Sequence, residues 1–482
     1  MAISVSYCRN RRIAAPSTLR LAVKLFFFVV TLLLLIAHQA AAQAAGATPA
    51  APDPQSNKAQ RNGDLNLRFG FEQRTRWENW NNIIDFNDAH PDQRNQIRFR
   101  NRFWLGLPVS SDVEFFVGLG NEFRVETTPD VPIQGNEMIF ESLYLDFRNL
   151  FTPRLSLRVG RQDIFRGEGF ILADGTSGDG SRTGYFNALD LSCKFRKSEL
   201  EVIGILDPRQ DRFLPRVNDQ RMYLTEWDEQ AAGLYYTHKN LANTKFEGYY
   251  FLKKEINDHR SRQDPQFRPN RTFNTLGGRI VRRLADGWTG TAELAEQWGS
   301  QHPETRIRAW GGYATVKKEF KARLKPYFLM GYWALSGDDP RTANRVEGWD
   351  PLFSRWPKWG GDLTLYSYIP ESGVGYASND RFSQLESGIS PNKFVSLRGT
   401  WYHHDAFHPM SAGPQIFGPG TYRGELLQLR GDLVLNSNVK GHILYERYLP
   451  GNFYLRESPG HFFRMEISYS FNGTIPLRGL IE

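Results

Sequence analysis

From Phe462 to Phe471 every second residue is apolar: Phe463, Met465, Ile467, Tyr469 and Phe471 share one parity, and Arg464, Glu466, Ser468 and Ser470 the other. A strand turns successive side chains to opposite faces, so such a segment has one greasy side and one charged side. The same split recurs in about 18 segments along the chain, an even number of the kind that single-chain bacterial barrels show. In a soluble sandwich the greasy face would meet a second sheet. Here the opposite face carries Arg and Glu rather than Thr and Ser, which suits a sheet closed on itself in lipid around a wet, charged lumen. The expected fold is all-β, a transmembrane antiparallel β-barrel of about 18 strands with long extracellular loops.

The connections support this independently. Pro108–Asp112, Asn149–Arg154, Lys239–Thr244 and Ala285–Gly287 are short, whereas Glu78–Gln96, Asp163–Gly184, Asp207–Glu229, Glu255–Thr272 and Ser336–Arg381 are long and rich in Gly, Asp and Asn. Tight turns at one end and long loops at the other are what a barrel with both termini on one side requires. A sandwich or a propeller imposes no such alternation, and no fixed-period repeat is visible. The weakest strand patterns are Leu200–Leu206 and Phe382–Ile389, and the last strand is expected to end at Phe471.

The N-terminal segment stands apart. Arg9, Arg11, Arg12, Arg20 and Lys24 precede an apolar run from Leu25 to Ala37 and then Ala40-Ala41-Ala42. This reads as a signal peptide over residues 1–44, followed by a disordered leader over 45–63, the barrel over 64–471 and a C-terminal tail over 472–482. The expected location is the bacterial outer membrane after cleavage of that peptide. The whole chain is +8, but residues 1–44 carry five basic and no acidic residues, so the remainder is close to +3. A basic pI therefore says little about an anionic partner, and nothing here calls for nucleic acid. Cys193 is the only cysteine after Cys8, which rules out an intramolecular disulfide or a zinc–thiolate cluster in the mature chain.

The placement of the basic residues is more telling. In the first strand Leu65, Leu67, Phe69 and Phe71 form the apolar parity, which leaves Arg68, Arg74 and Arg76 opposite; in the second, Phe99, Phe103, Leu105 and Leu107 leave Arg98, Arg100 and Arg102. Parity gives Arg124, Arg158, Lys194, Arg306, Arg308, Arg323, Lys325, Arg398, Arg430 and Arg464 the same inward assignment. An outward charge at the bilayer midplane would cost roughly 2–4 kcal/mol, which favours the lumen. Planar guanidinium groups grip carboxylates and phosphates bidentately, so the set suits an anion-conducting wall. The alternative is that these arginines merely satisfy Glu114, Glu122, Glu141, Asp146, Glu293 and Glu466, with Glu141 on the less certain parity.

Four motifs point to a family. LSLRVGRQ at Leu155–Gln162, NALDLSCKF at Asn187–Phe195, GWDPLFSRWPKWGG at Gly348–Gly361 and Arg423-Gly424-Glu425-Leu426 occur in an order that resembles the bacterial alginate-export outer-membrane family. The resemblance is diffuse but spans most of the mature chain. It implies an 18-stranded barrel with an electropositive constriction that passes polyuronate out of the cell, and carries Arg158 and Arg161 over as channel positions. Arg161 shares parity with Leu157 and Val159, so it reaches the lumen only if the strand has ended or bulged by then.

Other chemistry is weakly signalled. His403 and His404 point to opposite faces of a strand, which spoils a shared metal site in the His403-His404-Asp405 and His408 cluster. The Asp174–Gly180 stretch lacks the ligand spacing and closing Glu of an EF-hand loop. No GxSxG or HExxH occurs, so no enzyme is expected, and no cofactor. Trp349, Phe353, Trp356 and Trp359 could stack on sugars, but anchoring their long loop is the favoured role. The expected function is an outer-membrane channel for export or diffusion of anionic polysaccharide, an alginate-like polyuronate, through an Arg-lined lumen. The alternatives are a general anion or organic-acid porin, and a non-conducting barrel whose outer loops bind glycans or proteins. Expected partners are outer-membrane lipid, the polymer or an organic anion, and periplasmic export proteins that the sequence does not identify.

Overall fold

The computed structural model describes residues 65–477 except 91, 174–184, 216, 219–224, 226, 242, 258–269, 302–303, 355–362, 364–368, 370–376 and 411–415. The expected signal peptide and leader, the Asp174–Gly180 stretch, Trp356 and Trp359 lie outside the described residues.

The wall begins with β1 (Asn66–Asn81), β2 (Arg94–Pro108), β3 (Val113–Thr128), β4 (Asp130–Phe147), β5 (Leu155–Gln162) and β6 (Phe186–Lys194). It continues with β7 (Ser198–Asp207), β8 (Asp228–Leu241), β9 (Thr244–Ile256), β10 (Arg271–Arg283), β11 (Trp288–Gln301), β12 (Thr305–Glu319) and β13 (Tyr327–Leu335). A two-residue piece, β14 (Arg345–Val346), lies in the long loop after β13 and pairs parallel with the start of β12. Then come β15 (Asp380–Ile389), β16 (Val395–Asp405), β17 (Tyr422–Val434), β18 (Val439–Pro450) and β19 (Gly460–Pro476). Each wall strand pairs antiparallel with the next, and β1 pairs with both β2 and β19, so the sheet is a closed barrel of 18 strands. Closure leaves no sheet edge unpaired, which lipid demands because it offers backbone groups no hydrogen bonds.

The alternation read from the sequence sets which way each strand faces. Along β11, Ala295 is buried while Leu294 is 63% exposed and Trp298 40% exposed. The exposed set, with Leu276, Ile280, Met330 and Tyr332 on neighbouring strands, is the lipid-facing apolar belt. Both weakly patterned segments are strands, as β7 and β15.

Three expectations are corrected. β19 does not stop at Phe471 but runs to Pro476, because β1 starts at Asn66 and its first residues need partners: Asn66 faces Pro476 and Leu67 faces Ile475. The strand expected from Arg323 begins only at Tyr327, since Lys325 is left-handed (φ 46°) and Pro326 follows it, so Arg323 and Lys325 lie in the turn. The third concerns Arg306 and Arg308. On β12, Ile307 and Ala309 are buried and Arg306 and Arg308 exposed, so both arginines face outward, not into the barrel. The inward parity of β12 is that of Ile307, Ala309 and Tyr313. An outward arginine is tolerated here because both lie at the long-loop end, at or beyond the level of Trp298, which faces Arg308.

The barrel interior is filled in part by its own loops. Phe170, Ile171 and Leu172 from the loop after β5, and Trp349, Leu352 and Phe353 from the loop after β13, belong to one buried apolar cluster. The two loops meet through a Leu172–Phe353 bridge and stacked Phe170 and Trp349 rings 5.2 Å apart. Trp349 and Phe353 thus anchor their loop inside the barrel, the role favoured from the sequence.

Candidate channel lining

On β19, β1, β2 and β3 the inward side chains are Arg and Glu over several successive positions. The register sets arginine against arginine: Arg74 faces Arg100, Arg76 faces Arg98, and Arg98 faces Arg124, so Arg76, Arg98 and Arg124 form a row across three strands. A similar pair, Arg398 and Arg430, lies on β16 and β17. Like charges directly opposite in a sheet are destabilising, and the cost is offset by carboxylates set opposite, as Glu466 is to Arg76 and Glu78 to Arg464, or diagonally, as Glu78 is to Arg98 and Glu72 to Arg100. Glu78 binds Arg464 at 2.8 Å and Arg98 at 3.2 Å. Glu466 binds Arg76 at 2.5 Å, and Arg74 approaches the same carboxylate only to 3.9 Å. Glu72 takes Arg100 at 2.8 Å, and Glu122 lies 3.3 Å from Arg98. Arg124 pairs with Glu126 at 3.1 Å, and Arg68 with Glu114.

Solvent access divides this set. Arg74, Arg76, Arg98, Arg100 and Arg464 are buried, whereas the side chains of Arg68 (28%), Arg102 (25%) and Arg124 (42%) keep part of their surface open. Arg158 on β5 is partly open too; it binds Asp146 at 3.2 Å and lies over the Tyr144 ring. Arg430 pairs with Asp432 at 2.7 Å. Glu141, whose parity was ambiguous, turns out beside a register shift in the β3–β4 ladder and binds Arg102 at 2.5 Å.

Arg161 depends on a glycine. Gly160 has φ +125°, and a Cβ there would lie 2.3 Å from the Leu143 carbonyl oxygen, so only glycine fits. The adjoining Arg161 is buried, forms a bidentate pair with Asp211 (2.8 Å on each arm) and lies under the Tyr185 ring. It is therefore brought to the loop after β7 rather than to the arginine rows. The Arg423-Gly424 motif is built alike: Gly424 has φ +136° with no room for a Cβ against the Leu449 carbonyl, and Arg423 is fully buried over the Phe453 ring. Parity from Arg430 would have sent Arg423 outward. The readable signal was a glycine beside an arginine at a strand's long-loop end.

Sequence reasoning also missed a second charged region, on β8–β12. Arg271 binds Glu255 and Asp350, each at 2.5 Å, and Lys253 binds Glu229 at 2.8 Å and Glu255 at 2.9 Å. Lys253 donates to the Leu352 carbonyl at 2.6 Å, while Gln297 donates to the Asp350 carbonyl and accepts from the Asp350 amide. These contacts bolt the loop after β13 to the wall. Burial alone would raise the Asp350 carboxyl, but the Arg271 guanidinium and then the Lys253 ammonium overcome it and hold it at about 2. Nearby, Arg279 binds Glu247 at 2.5 Å and Glu168 of the other inserted loop, and Tyr249 and Tyr313 both donate to Glu293.

His403 and His404 do face opposite sides of β16. His404 is fully buried against Asp380 at 3.2 Å, and His403 lies 3.3 Å from Asp405.

A closed antiparallel barrel with an apolar outer belt, tight turns at one end, long loops at the other and an ionised inner wall defines an outer-membrane channel protein. The chain matches the alginate export family over residues 65–464 and belongs to that family. Among curated proteins no sequence matches. Several solved Pseudomonas aeruginosa barrels share the fold. OprD is 12% identical with a TM-score of 0.54, covering 86% of this chain and 97% of its own. OpdK solved with vanillate is 12% identical with a TM-score of 0.54, over 85% and 100%. OccK2 (OpdF) in complex with glucuronate is 12% identical with a TM-score of 0.53, over 85% and 100%. Family and fold are those of channels, not enzymes.

Proposed function

We propose that the barrel is an anion-selective outer-membrane conduit for an acidic polysaccharide of the polyuronate class, and that the arginines of β1, β2, β3 and β5 guide the chain. The observation that carries this is the register that stacks Arg76, Arg98 and Arg124 in one row and Arg74 against Arg100 in the next. Glu466 closes the first row beside Arg76 and Glu122 the second beside Arg100, and between these ends arginine faces arginine. Sorting the arginines into rows concentrates positive potential on one side of the barrel, and low-dielectric walls focus that field on a passing anion. The buried arginines act through the field. Arg68, Arg102, Arg124 and Arg158, with surface still open, are the ones positioned to touch carboxylates along the polymer. Membership of the alginate export family supports this choice of cargo.

A second reading, diffusion of small organic acids, is favoured by the two loops packed inside the barrel and by the vanillate and glucuronate found with barrels of the same fold. Single-channel recording in planar bilayers separates the two. A polymer conduit is blocked by polyuronate oligomers with a residence time that grows with chain length. A solute porin is blocked equally by monomer and oligomer, and a barrel with no conductance rejects both.

A further inference from the structure

The outward turn of Arg306 and Arg308 opens a different question, because cations on the lipid side of a barrel meet the membrane rather than the cargo. The sheet register aligns outer-face residues at the long-loop end: Lys254 faces Thr272, Thr272 faces Ser300, Ser300 faces Arg306, and Arg306 faces Arg345 of β14. One step toward the membrane centre the row is Leu252, Asn274, Trp298 and Arg308. Lys254, Arg306, Arg308 and Arg345 are exposed. Arg345 reaches Glu347 at 3.9 Å, whereas the side chains of Lys254, Arg306 and Arg308 meet no carboxylate among the described residues. Glu296, opposite Trp310, Glu304 in the turn and Glu347 beside Arg345 are the carboxylates close by, three against the four cations, so the rim keeps a positive excess. The contrast with the inner wall is sharp, since nearly every arginine there has a carboxylate.

Directly below this rim, the lipid face is hollowed. A groove of about 450 Å³ is lined by the small residues Ala292, Gly312 and Ala314 and the large Leu294, Trp310 and Tyr332. Arg306 and Arg308, which meet no carboxylate among the described residues, stand above an aromatic collar and an apolar groove and match an amphiphile with acyl chains and an anionic head. The long-loop end is the extracellular end, so the amphiphile belongs to the outer leaflet. We propose that this face of β9–β12 is a docking site for a phosphorylated outer-leaflet glycolipid, one acyl chain lying in the groove and a phosphate held by Arg306 and Arg308, with Lys254 and Arg345 adding field. Arginine suits this role because its fork meets two phosphate oxygens at once.

The test uses the full-length mature barrel in detergent, incubated with bisphosphorylated lipid A, the same lipid stripped of phosphate, or phosphatidylglycerol, and read by native mass spectrometry as lipid copies retained. Bisphosphorylated lipid A should be kept in preference to both others. Arg306→Ser with Arg308→Ser should weaken its retention about thirtyfold, the size expected for two cations at a lipid surface. Ala314→Phe, a lipid-facing apolar exchange that fills the groove, should reduce retention of both forms of lipid A. Both variants should keep wild-type conductance and heat-modifiable migration, which separates loss of the site from loss of the fold. Equal retention of the dephosphorylated lipid or of phosphatidylglycerol overturns the proposal. So does a double variant that binds as wild type or changes the channel's ion selectivity, or cross-linking through position 314 that joins two barrels.

Discussion

Arg98 and Arg271 are both buried arginines on the inner wall, yet their neighbours differ in kind. Arg98 lies between Arg76 and Arg124 in register, with Glu78 and Glu122 both more than 3 Å away. Arg271 has no arginine opposite; it faces Glu255 and Gln301 in register and is clamped by Glu255 and Asp350 at 2.5 Å, in a group that holds a loop. In the β8–β12 region the charges are paired tightly and used up in fixing the inserted loop. In the β19–β3 region carboxylates nearly match arginines in number, but their order leaves like charges abreast. The first arrangement fixes the inserted loop, and the second is the one the proposed function takes to keep a field across the remaining lumen. Breaking one partner should therefore collapse structure on one side and change selectivity on the other.

The largest effect is expected at the loop bolt. Arg271→Ala leaves buried Asp350 without its main cation and Glu255 with Lys253 alone, a loss of about 3–5 kcal/mol when one partner of a buried pair is removed. The loop after β13 should detach, with a lower unfolding temperature, a larger and noisier single-channel conductance, and protease cleavage near Asp350. Unchanged conductance would show that the loop does not narrow the path.

The same bolt carries a pH signature. Asp350 has a depressed carboxyl, near 2 against an ordinary value of 3.8, so its contribution is fully present above about pH 4 and is lost as pH falls through about 2. Conductance should stay constant from neutral pH down to that window and rise below it. Asp350→Asn should remove that rise in acid, measured in the same bilayer. A transition near neutral pH would assign gating to other groups.

Of intermediate size is Gly160→Ala. A side chain at φ +125° with the Leu143 carbonyl in its way costs on the order of 1–3 kcal/mol. The strain should release Arg161 from Asp211, seen as faster hydrogen exchange at the β5 end and in the loop after β7. Arginine-row selectivity should be unaffected, because Arg161 is not in the rows.

How far the sequence could be read follows from what sets each feature. Alternation and turn length are local, so β5 was located to the residue and the closed barrel could be inferred. Parity placed Arg74, Arg98, Arg100, Arg102 and Arg464 on the inner wall because their strands are unbroken there. It misplaced Arg306 and Arg308 because the lipid rule stops at the membrane edge, and β12 extends past it. It lost Arg423 and left Arg161 open because one glycine at positive φ reverses the alternation. Glu293 was legible as an inward carboxylate, but the partners Glu255 and Asp350 were not: separate strands and a folded-in loop bring them together, and no local pattern encodes that. Arg–Arg register was equally hidden, since a shift of one residue in pairing would have set Arg against an outward side chain.

The smallest expected effect, and the one that decides the comparison, lies in the rows themselves. Replacing Arg98, Arg100 and Arg158 by Ser removes three cations from one side of the lumen while leaving the loop bolt intact. Arg98 and Arg100 are buried among carboxylates, so the variant takes a cation from Glu122 and from Glu72 as well as losing positive charge, whereas Asp146 keeps Arg148. Anion-over-cation permeability should fall several-fold, and block by polyuronate should weaken with it. Lowering the salt should widen the difference, because the Debye length grows from about 8 Å at physiological ionic strength to about 30 Å at 0.01 M. A variant that keeps the wild-type permeability ratio at every salt concentration would place these arginines with Arg271, as charges consumed by their partners. The sorting of the rows would then have no bearing on transport.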